Sequence, residues 1–313
     1  MFKNIELLSY DPNWPHIFDA EATLIKDALQ DNFLAIHHIG STSVPGLAAK
    51  AKIDIIAVVK DLHATRTELE KIDMKYRGEY NIPLHYCFSK REKVNINLHV
   101  YEESHPEIEL NLCFRDYLRA YPKTKEAYAL LKLDLLQDES SYIKENTAFT
   151  NYTLRKGDFI RSVLKEAGFN RIRILKCNDE TEWKVAKDLR NKHFSTLYGM
   201  QTHIAGTFHH LDHTHLVLYH GVEIIGYAHI QLWLAHQAAA IICMVAIDRS
   251  NQNAEFLTLI EKWLKSLGIK TVYAKSKQSS LQFYLQNGYI EMPFDYPENL
   301  RSYTSNISIG KIL

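Results

Sequence analysis

No CxxC pair occurs in this sequence, and its four cysteines, Cys87, Cys113, Cys177 and Cys243, stand far apart. That spacing argues against a disulfide framework and fits free thiols in a reducing cytosol, so a cytoplasmic chain is expected. No apolar run approaches the roughly 20 residues of a membrane-spanning helix, and residues 1–10 lack a signal peptide's basic flank and apolar block. Neither sign of charge is in excess. Lys+Arg and Asp+Glu both number 37, which removes any whole-chain electrostatic case for nucleic acid and leaves small molecules as the expected partners. What is present is ordinary globular material, 46% apolar and 24% charged, in a chain of 313 residues, a natural length for two domains.

The first half is organised around His37-His38-Ile39-Gly40-Ser41-Thr42-Ser43-Val44-Pro45-Gly46-Leu47, running on through Lys50 and Lys52 to Ile53-Asp54-Ile55-Ile56. Gly40 lets the backbone approach a ligand closely, and the Ser41 and Thr42 hydroxyls can bond phosphate or sugar oxygens. Residues 53–59 are apolar and β-branched, as a buried strand requires, and Asp54 is the only charge among them. A carboxylate in a buried strand is costly unless it is paired or binds a cation, which singles out Asp54.

Three motifs, Tyr10-Asp11-Pro12-Asn13-Trp14-Pro15, the stretch from His37 to Ile55, and Phe114-Arg115-Asp116-Tyr117-Leu118-Arg119-Ala120-Tyr121-Pro122, closely resemble the GrpB (UPF0157) family over residues 3–169. The resemblance implies a branch of the nucleotidyltransferase superfamily, with a mixed sheet, a Gly-Ser turn and carboxylates holding divalent metal. The residues it marks as a ligand site are His38, Gly40, Ser41, Thr42, Lys52, Asp54, His99 and Arg115, with Mg2+ at Asp54. The superfamily's acid-x-acid reads Asp54-Ile55-Ile56 here, and the later strand, residues 94–100, offers His99 in place of a third acid. Two-metal phosphoryl chemistry needs several carboxylates, so binding of a nucleotide or other phosphorylated ligand is expected rather than nucleotidyl transfer. Lys144, Arg155 and Lys156, with Arg115 and Arg119, are available to add positive charge over the Gly40–Ser41 turn; for each alone, a solvated helix face is the blander reading.

Periodicity predicts strands at 5–9, 35–39, 53–59, 86–90 and 94–100, and helices at 15–30, 66–74, 108–121, 124–136 and 146–167. From residue 170 the pattern restarts: a strand at 172–175, a helix at 180–192, strands at 214–219, 224–233 and 238–247, a helix at 253–267, a strand at 271–275, a helix at 279–287 and a final strand at 289–292. The expected class is therefore α+β or α/β, with domains at 1–169 and 170–313.

The second order, with Gly226-Tyr227-Ala228-His229-Ile230, Cys243-Met244-Val245-Ala246-Ile247-Asp248 and Phe283-Tyr284-Leu285-Gln286-Asn287-Gly288-Tyr289, resembles the GNAT N-acetyltransferase fold over residues 171–313. The resemblance implies acetyl-CoA lying against residues 243–247, with Val245, Ala246 and Ile247 pairing its pantetheine arm, Gln252 and Asn253 near its pyrophosphate, and Tyr284 as general acid on the leaving thiolate. The usual Q/R-x-x-G-x-G/A cradle is altered. No glycine occurs between Gly226 and Gly268, and Glu255 adds negative charge. His203, His209, His210, His213, His215 and His220 crowd around Asp212; zinc or copper is one reading, and substrate-loop or surface histidines the better one. Tyr227, His229 and Gln231 alternate on one strand face, either substrate-facing or a packed mixed face. The leading expectation is an N-acetyltransferase for an unidentified amine carrying a GrpB-type domain. The alternative is a non-catalytic protein that binds a nucleotide or phosphorylated metabolite through that domain.

Overall fold

The structure, a computed structural model, describes residues 6–91, 93–144, 149–198, 210–246, 250–294 and 307–313. The chain divides into two compact units, Met1–Ile172 and Arg173–Leu313. Each is α+β and is built on one mixed sheet.

In the first unit, Pro15 near the helix start and Asp11, whose Oδ1 accepts from the Asn13 N–H, open α1 (Trp14–Leu29). It is followed by β1 (Phe33–Ile39), β2 (Lys52–Val59), α2 (Thr65–Glu70), β3 (Lys75–Gly78), β4 (His85–Lys90) and β5 (Asn95–Glu102). Helices α3 (Pro106–Ala120), α4 (Pro122–Gln137), α5 (Asn151–Leu154) and α6 (Gly157–Glu166) complete it. The strand order is β1-β2-β5-β4-β3, with β2 and β5 parallel and the other pairs antiparallel. Alternation along β2 and β5 sends Ile53, Ile55, Ala57, Val59, Leu98 and Val100 into a core with Trp14, Ile25 and Leu29 of α1 and Leu69 of α2. Each Val, Leu and Ile among them contributes about 1.5–3 kcal/mol. The opposite face carries Ile56, Val58 and Tyr101 against Ile108 and Leu112 of α3. Register places Asp54 between Ile39 and Asn97 on that second face.

The second unit runs β6 (Ile172–Lys176), α7 (Glu180–Tyr198), β7 (His213–His220), β8 (Glu223–Trp233), β9 (Ala238–Ala246), α8 (Ser250–Ser266), β10 (Thr271–Ser276), α9 (Gln278–Gln286), β11 (Ile290–Glu291) and β12 (Ile307–Ile312). The order is β11-β12-β10-β9-β8-β7-β6. Phe256, Leu257, Ile260, Trp263 and Leu264 form the buried stripe of α8, an amphipathic helix on that sheet.

Several elements differ from the sequence reading. The strand expected at 5–9 is a single bridge between Leu8 and Ala49, and residue 5 lies outside the described residues. The helix expected at 146–167 is two helices, α5 and α6, separated at Arg155–Lys156, just before a glycine that weakens helix interiors; residues 145–148 lie outside the described ones. The helix expected at 66–74 stops at Glu70, and Asp73 turns left-handed at φ 64° before β3. Strand β3, short and at the sheet edge, carries no apolar run to announce it. The strand expected to be last, 289–292, shrinks to β11, and β12 inserts between it and β10.

Gly226 on β8 marks a close approach: a Cβ there would sit 2.9 Å from the Val245 carbonyl oxygen, 3.0 Å from Leu218 Cβ and 3.3 Å from the Phe256 ring. Gly226→Ala is expected to cost about 1–3 kcal/mol by overpacking, read as a lower urea midpoint. An unchanged midpoint would show that the α8 stripe yields freely.

Candidate functional site

Gly40 ends β1 with φ +71°, and a Cβ there would fall 2.7 Å from Asp54 Oδ2, so glycine is required both by conformation and by space. The following turn, 41–43, is tied back on itself. Ser43 Oγ donates to the Gly40 carbonyl at 2.6 Å and Thr42 Oγ1 to the Lys52 carbonyl at 3.1 Å. With the Thr42 proton so used, His38 Nε2–H donates to Thr42 Oγ1 at 3.1 Å, which fixes its tautomer. His38 stacks on Phe18 at 4.8 Å, and burial lowers its pKa to about 4 against the opposing pull of Asp54. It is a neutral support for the turn. Arg115 donates to the His38 carbonyl (3.0 Å), Arg119 to the Ser43 carbonyl (2.6 and 3.0 Å) and Lys125 to the Pro45 carbonyl (3.0 Å). These cations from α3 and α4 hold main-chain oxygens of the turn.

Beside the turn lies a cavity of about 140 Å³ lined by Leu7, Ser41, Thr42, Ala49, Lys50, Lys52, Asp54, Lys132, Tyr152, Thr153 and Lys156. Four ammonium groups thus face one carboxylate. Lys52 takes that carboxylate, its Nζ 3.1 Å from Asp54 Oδ1. Lys132 of α4 is only 2% exposed and donates to Ser41 Oγ (3.2 Å) and the Ala48 carbonyl, both uncharged. Lys50 and Lys156 lie over the Tyr152 ring, 4.2 and 4.6 Å from its centroid. Among the described residues, Lys50, Lys132 and Lys156 have no carboxylate partner. Burial lowers Lys132 to about 8 and, with the neighbouring Lys52, Lys50 to about 8. Burial, then the charges of Lys50, Lys52 and Lys132, lower Lys156 to about 7.

Of the residues expected from sequence, Ser41, Thr42, Lys52 and Asp54 line this cavity, as does Lys156, one of the cations expected over the turn. Gly40 and His38 shape the turn, Arg115 is spent on the His38 carbonyl, and His99 bonds His85 (3.1 Å) in the next row of the sheet. Lys132 and Tyr152, which sequence reasoning passed over, come into the cavity from α4 and α5. Lys144 is exposed and Arg155 pairs with Asp138. Mg2+ does not fit here. Asp54 Oδ1 already accepts from Asn97 Nδ2 at 3.0 Å and pairs with Lys52, the second-acid position is the buried Ile56, and lysines occupy the space where further carboxylates would stand.

In the second unit, β9 carries one extra residue. His229 pairs with Cys243 and Ile230 with Ile241, leaving Ile242 as a bulge. The parallel pairing of β10 with β9 stops at the same place, with Ala274 opposite Ile241, so residues 243–246 have β8 on one side and no β10 on the other. Val245 and Ala246 lie on this parted stretch; Ile247 lies outside the described residues. The Ala246 N–H donates to Asn253 Oδ1 at 2.9 Å, and buried Gln252 Oε1 has no hydrogen-bond partner among the described residues. Tyr284 on α9 is half-buried, edge-on to Tyr289 at 5.2 Å.

The histidine stripe is a packed network. Arg190 of α7 donates to His229 Nδ1 (3.3 Å) and the Tyr227 hydroxyl (3.4 Å), His229 passes a bond to His213 (2.7 Å) and Tyr227 to His215 (2.7 Å). Tyr227, His229 and His215 are buried beneath it. The zinc or copper reading finds no ligand cluster there among the described residues, and His203 and His209 lie outside them.

A mixed sheet with a Gly-Ser turn and one strand carboxylate sets the class of the first unit, and comparison gives its family. The family model for GrpB protein matches residues 4–166, just over half of the chain. The chain belongs to the GrpB family. A UPF0157 protein of Halalkalibacterium halodurans is 37% identical over 167 residues, 52% of this chain and 83% of that one. The crystal structure of conserved protein GrpB from Enterococcus faecalis is 33% identical, covers 52% of this chain and 96% of its own, and has a TM-score of 0.45. A putative N-acetyltransferase from Lactobacillus plantarum is 17% identical, covers 46% of this chain and 99% of its own, and has a TM-score of 0.38. Among the described residues no helix is long and apolar enough to cross a membrane.

Removing a buried, uncompensated cation relieves the fold. Lys132→Met is expected to leave the urea midpoint unchanged or raise it, and to weaken binding of inorganic phosphate by about tenfold or more. The folded pKa of Lys132, about 8, lies below that of the unfolded chain, about 10.4. The folded protein therefore binds fewer protons between these values, and stability rises with pH across roughly pH 8–10. That rise should be smaller in Lys132→Met. A lower midpoint with unchanged phosphate affinity would make Lys132 a structural residue.

Proposed function

We propose that residues 170–313 are an acyl-CoA-dependent N-acetyltransferase, and that residues 1–169, the GrpB-type unit, bind a phosphorylated small molecule. The acetyltransferase reading is carried by the parting of β9 from β10 at the Ile242 bulge, which leaves residues 243–246 as a strand edge inside the sheet. An extended amide chain such as a pantetheine arm pairs with such an edge as an added strand. In this reading Val245, Ala246 and Ile247 hold that arm, and Gln252 and Asn253 meet the pyrophosphate at the α8 N-terminus, where the helix dipole favours negative charge. Asn253 must release the Ala246 N–H, or the arm must pass beside it. The amine attacks the thioester carbonyl, and as the C–S bond breaks the leaving thiolate takes the Tyr284 phenol proton while the new amide nitrogen gives up its extra proton, which returns through water to the Tyr284 phenolate.

Calorimetric titration with acetyl-CoA tests this: saturable binding is expected, and Tyr284→Phe should lower kcat about 100-fold or more on an accepted amine with acetyl-CoA affinity kept. No binding at millimolar acetyl-CoA would overturn it.

The lysine cavity favours the phosphorylated-ligand reading for the first unit. Its Lys50, Lys132 and Lys156 ammonium groups and the Ser41 and Thr42 hydroxyls can meet a phosphoryl group. With one carboxylate, it is a binding site rather than a nucleotidyl-transfer centre. Phosphate, pyrophosphate and ATP titrated with chelator present should bind without divalent metal. A strict Mg2+ requirement would contradict this.

A further inference from the structure

One row of the first unit's sheet holds a cluster that neither proposed site uses. His85 and Cys87 alternate on β4 and so share a face, and His99 of β5 stands opposite Cys87 in register. One ligand atom from each of the three lies within 4.8 Å of the others. The row is one step along the strands from the Asp54–Asn97 pair, since His99 is opposite Ile56.

The protons are arranged for a ligand. His85 Nδ1 lies 3.2 Å from the Glu79 carbonyl oxygen, which can only accept, so Nδ1 carries the proton and Nε2 keeps its lone pair. That Nε2 points at His99 Nδ1, 3.1 Å away. Glu79 is itself fixed, its Oε1 accepting the Leu84 N–H at 2.6 Å. A carbonyl that orients the far nitrogen of a histidine is the usual support behind a metal-bound imidazole. The third donor, Cys87, is buried, and among the described residues its thiol makes a long 3.8 Å contact with the Phe88 carbonyl.

We propose that His85 Nε2, His99 Nδ1 and Cys87 Sγ bind one Zn2+ ion, with a fourth position left to water. Two imidazoles and a thiolate are a borderline-soft set suited to zinc, which needs bonds of about 2.0–2.1 Å to nitrogen and 2.3 Å to sulfur. Ligand atoms in a tetrahedral site then lie about 3.3–3.6 Å apart, so the 3.1 Å His–His contact opens slightly and the cluster, already within 4.8 Å, needs only small side-chain shifts. Binding breaks the Cys87 S–H bond and forms a Zn–S bond, releasing one proton; the His99 proton moves from Nδ1 to Nε2 with no net release. His85 and Cys87 are buried and His99 half-buried, so the ion enters past His99.

The test uses the full chain stripped with chelator, then titrated with Zn2+ and with Co2+ as a spectroscopic stand-in. One equivalent of zinc is expected to bind with submicromolar affinity, and Co2+ to give a thiolate-to-metal charge-transfer band. Cys87→Ser should remove the band and weaken zinc at least tenfold, and His85→Gln should also weaken it, while Cys113→Ser changes neither. Circular dichroism checks that each variant is folded. Absence of one-equivalent binding, or a cobalt spectrum unchanged in folded Cys87→Ser, would overturn the proposal and leave the row a hydrogen-bonded histidine pair.

Discussion

Positive charge held without its complement is the constraint on which the first unit turns. Keeping Lys132 charged inside the fold at neutral pH costs on the order of 3 kcal/mol, judged from a pKa lowered from 10.5 to about 8. A fold with a typical margin of 5–15 kcal/mol does not carry that cost for packing alone, since an apolar side chain of similar volume would fill the same space. The surroundings soften the cost without cancelling it. Ser41 Oγ and the Ala48 carbonyl accept from Lys132, and the Tyr152 ring faces Lys50 and Lys156. The sole carboxylate of the cavity is engaged by Lys52 and Asn97 and lies against Gly40. An incoming dianion is the partner we propose for this arrangement. The Arg115, Arg119 and Lys125 bonds to turn carbonyls keep Ser41 and Thr42 in place to meet it.

The second unit expresses a different constraint, a sheet made to part. One extra residue in β9 bends the strand just where β10 ends its pairing, so the hydrogen-bonding capacity of residues 243–246 is directed into a gap instead of a neighbour. Asn253 answers one of those donors, that of Ala246. This side chain stands at the start of α8. Under the proposed acetyl-CoA reading, a pantetheine arm would compete with that oxygen for the Ala246 N–H.

Much of this was legible because it is local. The Gly40 turn, the strand bearing Asp54, and the restart near residue 170 each rest on short motifs or periodicities, and the structure shows the corresponding elements. Tertiary consequences were harder. Lys132 reads as one more charge on a charged helix, yet Tyr128, Lys132 and Leu135 share one helical face and all three are buried. That lysine in an apolar stripe was the available signal. Lys156 was one of several cations expected over the Gly40–Ser41 turn, with a solvated helix face as the blander reading, and the break between α5 and α6 beside it leaves no mark beyond Gly157. His99 was drawn toward Asp54 by analogy, whereas the register sets it beside Cys87 and His85, two residues that strand alternation brings to its side. The bulge at Ile242 sits in a continuous apolar run, where no sequence signal distinguishes a paired residue from an extra one.

If the lysine cavity is incomplete without an anion, its proton balance on binding is the most direct test. Glycerol 3-phosphate, a monoester already fully ionised at pH 8, is titrated calorimetrically into the chelator-treated protein in buffers of different ionisation enthalpy. Because a bound dianion raises the pKa of the lysines held near 7 and 8, net proton uptake is expected at pH 8, with affinity falling as pH rises further. Binding with no proton uptake, or binding that requires added Mg2+, would contradict an anion-completed cavity.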